Sequence, residues 1–335
     1  MEILRNVHAK NLVKWAEDKK DAYLLSADLT SSCEAHLFKE AYPERFLSMG
    51  IAEQNMLAFA GGMAREGLVP LIHTFAVFIY RRAYDQIAMS VAYPNLPVKM
   101  FGFLPGILTP GGATHQAIED ISVMRSLPNM TIIECGDATD VEASLDHAYG
   151  IDGPVYVRVL RGEVPRLFSP DDGVDFSKPR KLREGNDFVL LTSGICTEEG
   201  MRAAAALEEQ GVGISHYHIT TLKPFDHPEI VAEIEKSKYG AITMENHSII
   251  GGLGTIIAEQ MAEYGCTKKL HRLGLKDTFV HGASQRYLMR KYGLDAIALI
   301  AKIEEITKTR FNILEESLRE TYTPSLHSDY KPEAL

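Results

Sequence analysis

The sequence predicts two α/β domains with mostly parallel sheets. Three observations carry this expectation. Short apolar runs rich in β-formers alternate with longer helix-periodic stretches, the order expected of βαβ units. The alternation is interrupted from about Val164 to Asp187 by a stretch rich in Pro, Asp, Gly, Ser, Lys and Arg. The chain has 335 residues, beyond the length at which a single core stops growing.

Taken in order, the strands expected in the first domain are Tyr23-Leu24-Leu25-Ser26, Arg45-Phe46-Leu47-Ser48, Leu68-Val69-Pro70-Leu71-Ile72, Val98-Lys99-Met100-Phe101, Met130-Thr131-Ile132-Ile133 and Val155-Tyr156-Val157-Arg158. The first helix carries Val7, Leu12 and Trp15 near helical spacing, and a second helical stretch, Glu53 to Arg65, is rich in Ala, Met and Leu. The polar stretch buries too little apolar surface to form an element and reads as a linker. Beyond it, Phe188-Val189-Leu190-Leu191, Gly213 to Tyr217 and Ala241-Ile242-Thr243-Met244 read as strands, with helices near Thr197 to Glu209 and Thr255 to Glu263. The expected organisation is a first domain at 1–165, a linker at 166–186, a second domain at 187–320 and a surface tail at 321–335.

Composition excludes several functions. Hydrophobic residues make up 45% and charged residues 24%, as in an ordinary globular protein. A formal charge of −10 repels polyanions, so nucleic acid is not an expected partner. The N-terminus lacks the basic start and apolar core of a secretory signal, and no apolar run approaches the length of a membrane span, so a cytoplasmic location is expected. Cys33, Cys135, Cys196 and Cys266 form no CxxC pair, which argues for reduced thiols rather than a zinc or redox site.

Three segments could carry chemistry. In Gly50-Ile51-Ala52-Glu53-Gln54-Asn55-Met56 an acid opens an apolar helix. Glu53 either complements the helix macrodipole or is a carboxyl buried at a subunit interface, suited to hydrogen-bond a heterocyclic nitrogen. In the segment from His73 to Gln86, Phe75 and Phe78 lie three apart, where they form either core or a flat wall for a cofactor. The third segment, Gly102 to Gln116, is a long Gly- and Pro-rich loop ending in Thr114-His115-Gln116, and a loop of that kind inside a sheet domain points to a site. His115 there is either a helix-end hydrogen bonder or a catalyst.

In this order the segments resemble the second half of transketolase, over nearly the whole chain. The resemblance is carried by Gly50 to Asn55, by Thr74-Phe75-Ala76-Val77-Phe78 followed by Arg82-Ala83-Tyr84-Asp85-Gln86, and by Thr114-His115-Gln116, Glu119-Asp120 and Arg125 to Met130. In the second domain it is carried by Leu222 to Asp226 and by Glu245-Asn246-His247 through Gly254. The domains implied are a thiamin diphosphate pyrimidine-binding domain and a transketolase C-terminal-like domain. The reaction implied is transfer of a two-carbon ketol unit from a ketose to an aldose, with thiamin diphosphate as cofactor.

The resemblance also implies roles. Glu53 hydrogen-bonds N1′ of the aminopyrimidine and favours the imino tautomer, whose 4′-nitrogen can remove the thiazolium C2 proton; the cofactor supplies the carbanion chemistry. Phe75 and Phe78 wall the pyrimidine. A further family aromatic three residues on is replaced by Arg81, with Tyr80 the available substitute. His115 matches the histidine that hydrogen-bonds the reacting oxygens of the donor sugar. Asp28, in Ser26-Ala27-Asp28-Leu29, matches a run near the thiazolium, or else caps a turn at a strand end. Arg5, Ser32 and Arg161 match three of the four groups that hold a sugar phosphate. The fourth, a histidine, is replaced by Phe103, and an acid that reads a sugar hydroxyl is replaced by Gly111. These departures point to a modified or differently branched sugar, still expected to be phosphorylated, rather than the usual pentose phosphates.

The family binds Mg²⁺ through a Gly-Asp-Gly motif that does not occur in this sequence. The implied metal site therefore belongs to a partner, an N-terminal transketolase subunit, in an obligate complex with two copies of each chain. Competing readings are a 2-oxo acid dehydrogenase β subunit, a split deoxyxylulose phosphate synthase and a non-catalytic paralogue.

Overall fold

The computed structural model describes residues 2–320. Its first sheet has seven strands in the order Thr221–Lys223, Thr131–Glu134, Val155–Val159, Lys99–Phe103, Val69–Phe75, Ala22–Ser26 and Phe46–Ser48. Six run parallel, and Thr221–Lys223 is antiparallel to its neighbour. The central strands are apolar on both faces because helices cover both: Leu24, Leu25, Met100, Phe101, Ile132, Ile133, Val155 and Val157 are fully buried.

Two helix pairs cover this sheet. Val7–Trp15 packs on Ala138–Tyr149, where the Trp15 indole donates to Asp146 Oδ1 at 2.7 Å. Glu53–Arg65 packs on Ala76–Gln86 and on the turn of π-helix at Ile87–Ala92. This second approach needs Gly61, because a Cβ there would lie 2.4 Å from Ser90 O.

The second sheet has five strands in the order Leu270–Leu275, Ala241–Ser248, Phe188–Thr192, Ile214–His218 and Arg180–Arg183, the last antiparallel. Helices Cys196–Glu208, Leu253–Glu263 and Ala296–Thr307 complete this α/β unit. No described helix is long and apolar enough to cross a membrane.

The structure departs from the sequence expectation in two places. The segment read as an elementless linker contains Arg180–Arg183, on the edge of the second sheet, and its start is overlapped by Glu163–Arg166, paired antiparallel with Glu2–Arg5. Edge strands need a backbone partner rather than an apolar face, so their composition hides them. Thr221–Lys223, from the second half of the chain, adds to the first sheet and buries Leu222 there. The expected tail, 321–335, lies outside the described residues.

The units are also joined by a buried ionic cluster. Arg158, fully buried, donates from Nε to Asp120 Oδ2 at 2.9 Å, pairs through Nη1 with Glu134, and donates from Nη2 to Asn246 O at 3.0 Å. Two acids and a carbonyl from across the boundary thus satisfy one desolvated guanidinium.

Candidate active site

Because six strands of the first sheet are parallel, the loops after Ser26, Ser48, Phe75, Phe103, Glu134 and Val159 leave from one edge, where open α/β sheets bind ligands. After Ser48 the chain turns through Gly50, at φ +69°, and enters the helix at Glu53. The Glu53 carboxylate is only 2% exposed and sits in the first turn, where the helix dipole favours it. Arg82 Nη1 reaches both its oxygens, at 3.0 Å each. Arg82 comes from the neighbouring helix, and its side chain is 46% exposed.

Phe75 ends its strand and Phe78 lies in the first turn of the helix that follows. Their rings stack, with centroids 5.8 Å apart and planes at 24°. The His115 ring stands edge-on to both, 5.4 Å from Phe78 and 6.3 Å from Phe75. Its Nδ1 lies 2.9 Å from Thr114 Oγ1. Burial, and then the Arg82 charge, hold the His115 pKa below the ordinary imidazole value. A neutral imidazole can both accept and donate a proton there. Arg81 straps the loop instead of filling an aromatic place, donating to both carboxylate oxygens of Glu119 at 2.8 and 2.9 Å and to Ala113 O at 2.9 Å. Tyr80 is buried, and among the described residues its ring pairs with neither phenylalanine.

The long loop that ends at His115 is held from the second domain. Asn246 Oδ1 accepts from Ile107 N at 3.0 Å, and its Nδ2 donates to Pro105 O at 3.1 Å. Gly106, between those residues, has φ +61°, and a Cβ on it would meet Asn246 Oδ1 at 2.2 Å. At Gly111 a Cβ would lie 3.0 Å from His115 Cβ and Cγ, so a side chain at the position of the family's acid would press on the imidazole.

The remaining expected residues are more dispersed. Arg161 donates to Ser32 O at 2.5 Å, and its guanidinium lies 5.9 Å from the Phe75 ring, which links that pair to the cluster. Arg5 is exposed and paired with Glu163, 2.7 Å from its Nε. Arg5 and Arg161 line one cavity of about 910 Å³, which extends between the domains to Glu198, Arg202 and Tyr287. Asp28 lies exposed at the same sheet edge with φ +61° and touches neither Glu53 nor His115 among the described residues. Phe103 is fully buried against His8 and His73, at 5.3 and 5.5 Å, and cannot reach a substrate. Sequence reasoning assigned no role to Arg82 or Asn246; both lay inside quoted motifs, the only signal available for them.

The chain is similar to known proteins over most of its length. Residues 4–166 match the family model described as "Transketolase, pyrimidine binding domain", and residues 177–299 match "Transketolase, C-terminal domain". A putative uncharacterized transketolase family protein of Sinorhizobium fredii is 39% identical, over 84% of this chain and 82% of that protein. The chain belongs to the transketolase family of transferases. This transketolase-family chain is also 37% identical to the 6-deoxy-6-sulfo-D-fructose transketolase subunit of a Clostridium species, over 92% of this chain and 95% of that one. Among solved structures it is similar to one described as a split gene transketolase, inactive beta4 tetramer. The TM-score is 0.82 at 37% identity, covering 90% of this chain and 97% of the other.

Proposed function

We propose that this chain is the pyrimidine-binding subunit of a thiamin diphosphate-dependent transketolase, acting with a separate N-terminal chain that holds the diphosphate and Mg²⁺. The observation that carries this reading is the Glu53 carboxylate, 2% exposed, which Arg82 links to the Phe78 ring, itself stacked on Phe75 and met by the edge of His115. A buried acid next to flat apolar walls fits a planar nitrogen heterocycle: the acid accepts or shares a ring proton while the walls exclude water. The match to a pyrimidine-binding family supports the same assignment.

Bound thiamin diphosphate supplies the carbanion chemistry. Glu53 fixes the ring nitrogen and its tautomer. Phe78, with Phe75 behind it, fixes the ring plane. His115, uncharged near neutral pH, moves a proton at the reacting oxygen of the sugar. Arg161, steadied on Ser32, and Arg5 would hold the anionic end of the substrate, and Asp28 would contribute on the thiazolium side, as the family resemblance implies.

The partner is proposed on two grounds: the sequence lacks Gly-Asp-Gly, and the two relatives named as a subunit and as a split-gene product align over nearly their whole lengths. Two copies of each chain, with sites between unlike subunits, is the proposed assembly. Gly111 and buried Phe103 stand where the family reads pentose phosphates, so a modified or branched sugar is proposed as donor; 6-deoxy-6-sulfo-D-fructose, the sugar in the relative's name, is the first to test.

The test is a ketol-transfer assay of this chain with and without an N-terminal transketolase subunit, across a panel of ketoses. The expected result is cofactor-dependent transfer only from the pair, with one modified sugar preferred. Full activity of the chain alone, or turnover of pyruvate with a lipoyl acceptor instead, contradicts the proposal.

A further inference from the structure

Arg82 makes the two contacts that the reading above assigns to a cofactor ring. Its Nη1 lies 3.0 Å from each oxygen of Glu53, and its Cζ lies 4.4 Å from the centroid of the Phe78 ring. A guanidinium is a planar, delocalised cation with donors in its plane and a face that stacks on aromatics. An aminopyrimidine offers a donor edge and a stacking face in the same arrangement. Glu53 and Phe78 can serve one of these planar groups at a time.

The pair is asymmetric. Glu53 is fixed in a helix turn at 2% exposure, and leaving its carboxylate without a partner is costly. The Arg82 side chain is 46% exposed on the adjoining helix, so it can turn its charge into water while its stem stays on the surface. Arg82 is the movable member.

We infer that Arg82 is an internal competitor of the cofactor's pyrimidine ring, a latch that neutralises Glu53 and covers Phe78 and must swing aside for the ring to seat. This rests on the assignment of Glu53 and Phe78 to that ring. Arg82 keeps the buried acid paired before the ring arrives and weakens cofactor retention in proportion to the strength of the latch.

The experiment is isothermal titration of thiamin diphosphate, at fixed Mg²⁺, into the assembled two-chain complex carrying Arg82→Met, Arg82→Gln or Arg82→Lys. Loss of the charge in the Met and Gln variants is expected to lower Kd about fivefold, the scale of one partly screened ion pair. Lysine, which keeps the charge without the flat fork, is expected to fall between these variants and the wild type. In a Glu53→Gln background the gain from Arg82→Met should vanish, because the latch has lost its anchor. Equal or weaker binding by both Met and Gln variants, with the wild type binding normally, overturns the latch alone. A wild-type complex that takes up no thiamin diphosphate overturns both the latch and the pyrimidine-binding assignment.

Discussion

Asn246 and Ile107 belong to different domains, yet the Asn246 amide oxygen accepts the Ile107 backbone N–H at 3.0 Å while its nitrogen donates to Pro105 O at 3.1 Å. The amide therefore completes the backbone hydrogen bonding of the loop that delivers His115. Alanine at 246 strands a buried donor and a buried acceptor, and should lower stability by about 2–4 kcal/mol. Denaturant midpoints measure the loss. Turnover of the assembled enzyme should fall further than folding alone explains, since the loop loses its anchor; aspartate, which can accept from Ile107 but cannot donate to Pro105, should be intermediate.

Arg82 also acts on His115. Burial is the first cause of the low His115 pKa and the Arg82 charge the second. In Arg82→Met the imidazole should therefore titrate at a higher pH than in the wild type while remaining below the ordinary 6.5. NMR titration of the histidine ring reads this directly. An unmoved midpoint would separate Arg82 from His115 electrostatically.

His8 and His73 meet at 2.8 Å between their Nε2 atoms, fully buried under Phe101 and Phe103. Burial pushes His8 down to about 3, and burial together with its neighbour pushes His73 well down. Both folded pKa values lie below the unfolded 6.5, so the native chain binds fewer protons; the stability involved is present above pH 6.5 and is lost as pH falls below it. The slope is up to about 1.4 kcal/mol per pH unit for each imidazole. Urea midpoints at pH 7 and pH 5 should differ less for a His8→Leu, His73→Phe double variant than for the wild type. Parallel behaviour would assign the acid sensitivity elsewhere.

Arg158 is buried with Asp120 and Glu134. Methionine at 158 leaves two buried acids without their cation and should cost about 3–5 kcal/mol. Restoring stability in a triple variant that also neutralises both acids would confirm that the cost lies in the stranded charge.

Much of this fold is legible in the sequence because its strands are apolar on both faces: Leu24-Leu25, Met100-Phe101 and Ile132-Ile133 announce themselves, and the helix at Glu53–Arg65 is found with the expected limits. The third strand was expected to end at Ile72 but continues through His73 and Thr74 to Phe75. Polar residues conceal that continuation, and the partner of His73 is 65 positions away. Glu163–Arg166 and Arg180–Arg183 were hidden for a related reason, since pairing at an edge leaves little apolar pattern. Within the site, Glu53, Phe75, Phe78 and His115 are visible as residue types in an order; the three rings meet in space, and Arg82 links Glu53 to Phe78. The roles of Arg82 and Asn246 depend on contacts between separate elements, which spacing along a chain does not encode. Arg5 lines a cavity with Arg161 and Asp28 follows the strand that ends at Ser26, but among the described residues neither pairs with Glu53, Phe75, Phe78 or His115.

The proposed function rests on the buried Glu53 carboxylate orienting the cofactor's pyrimidine ring. Its most direct test is the turnover of the assembled two-chain enzyme carrying Glu53→Ala, at saturating thiamin diphosphate and Mg²⁺. Turnover should fall about 100-fold or more, the scale of losing a positioned proton-sharing group, with the complex still assembled. Turnover within about twofold of the wild type, less than any such role allows, would contradict it.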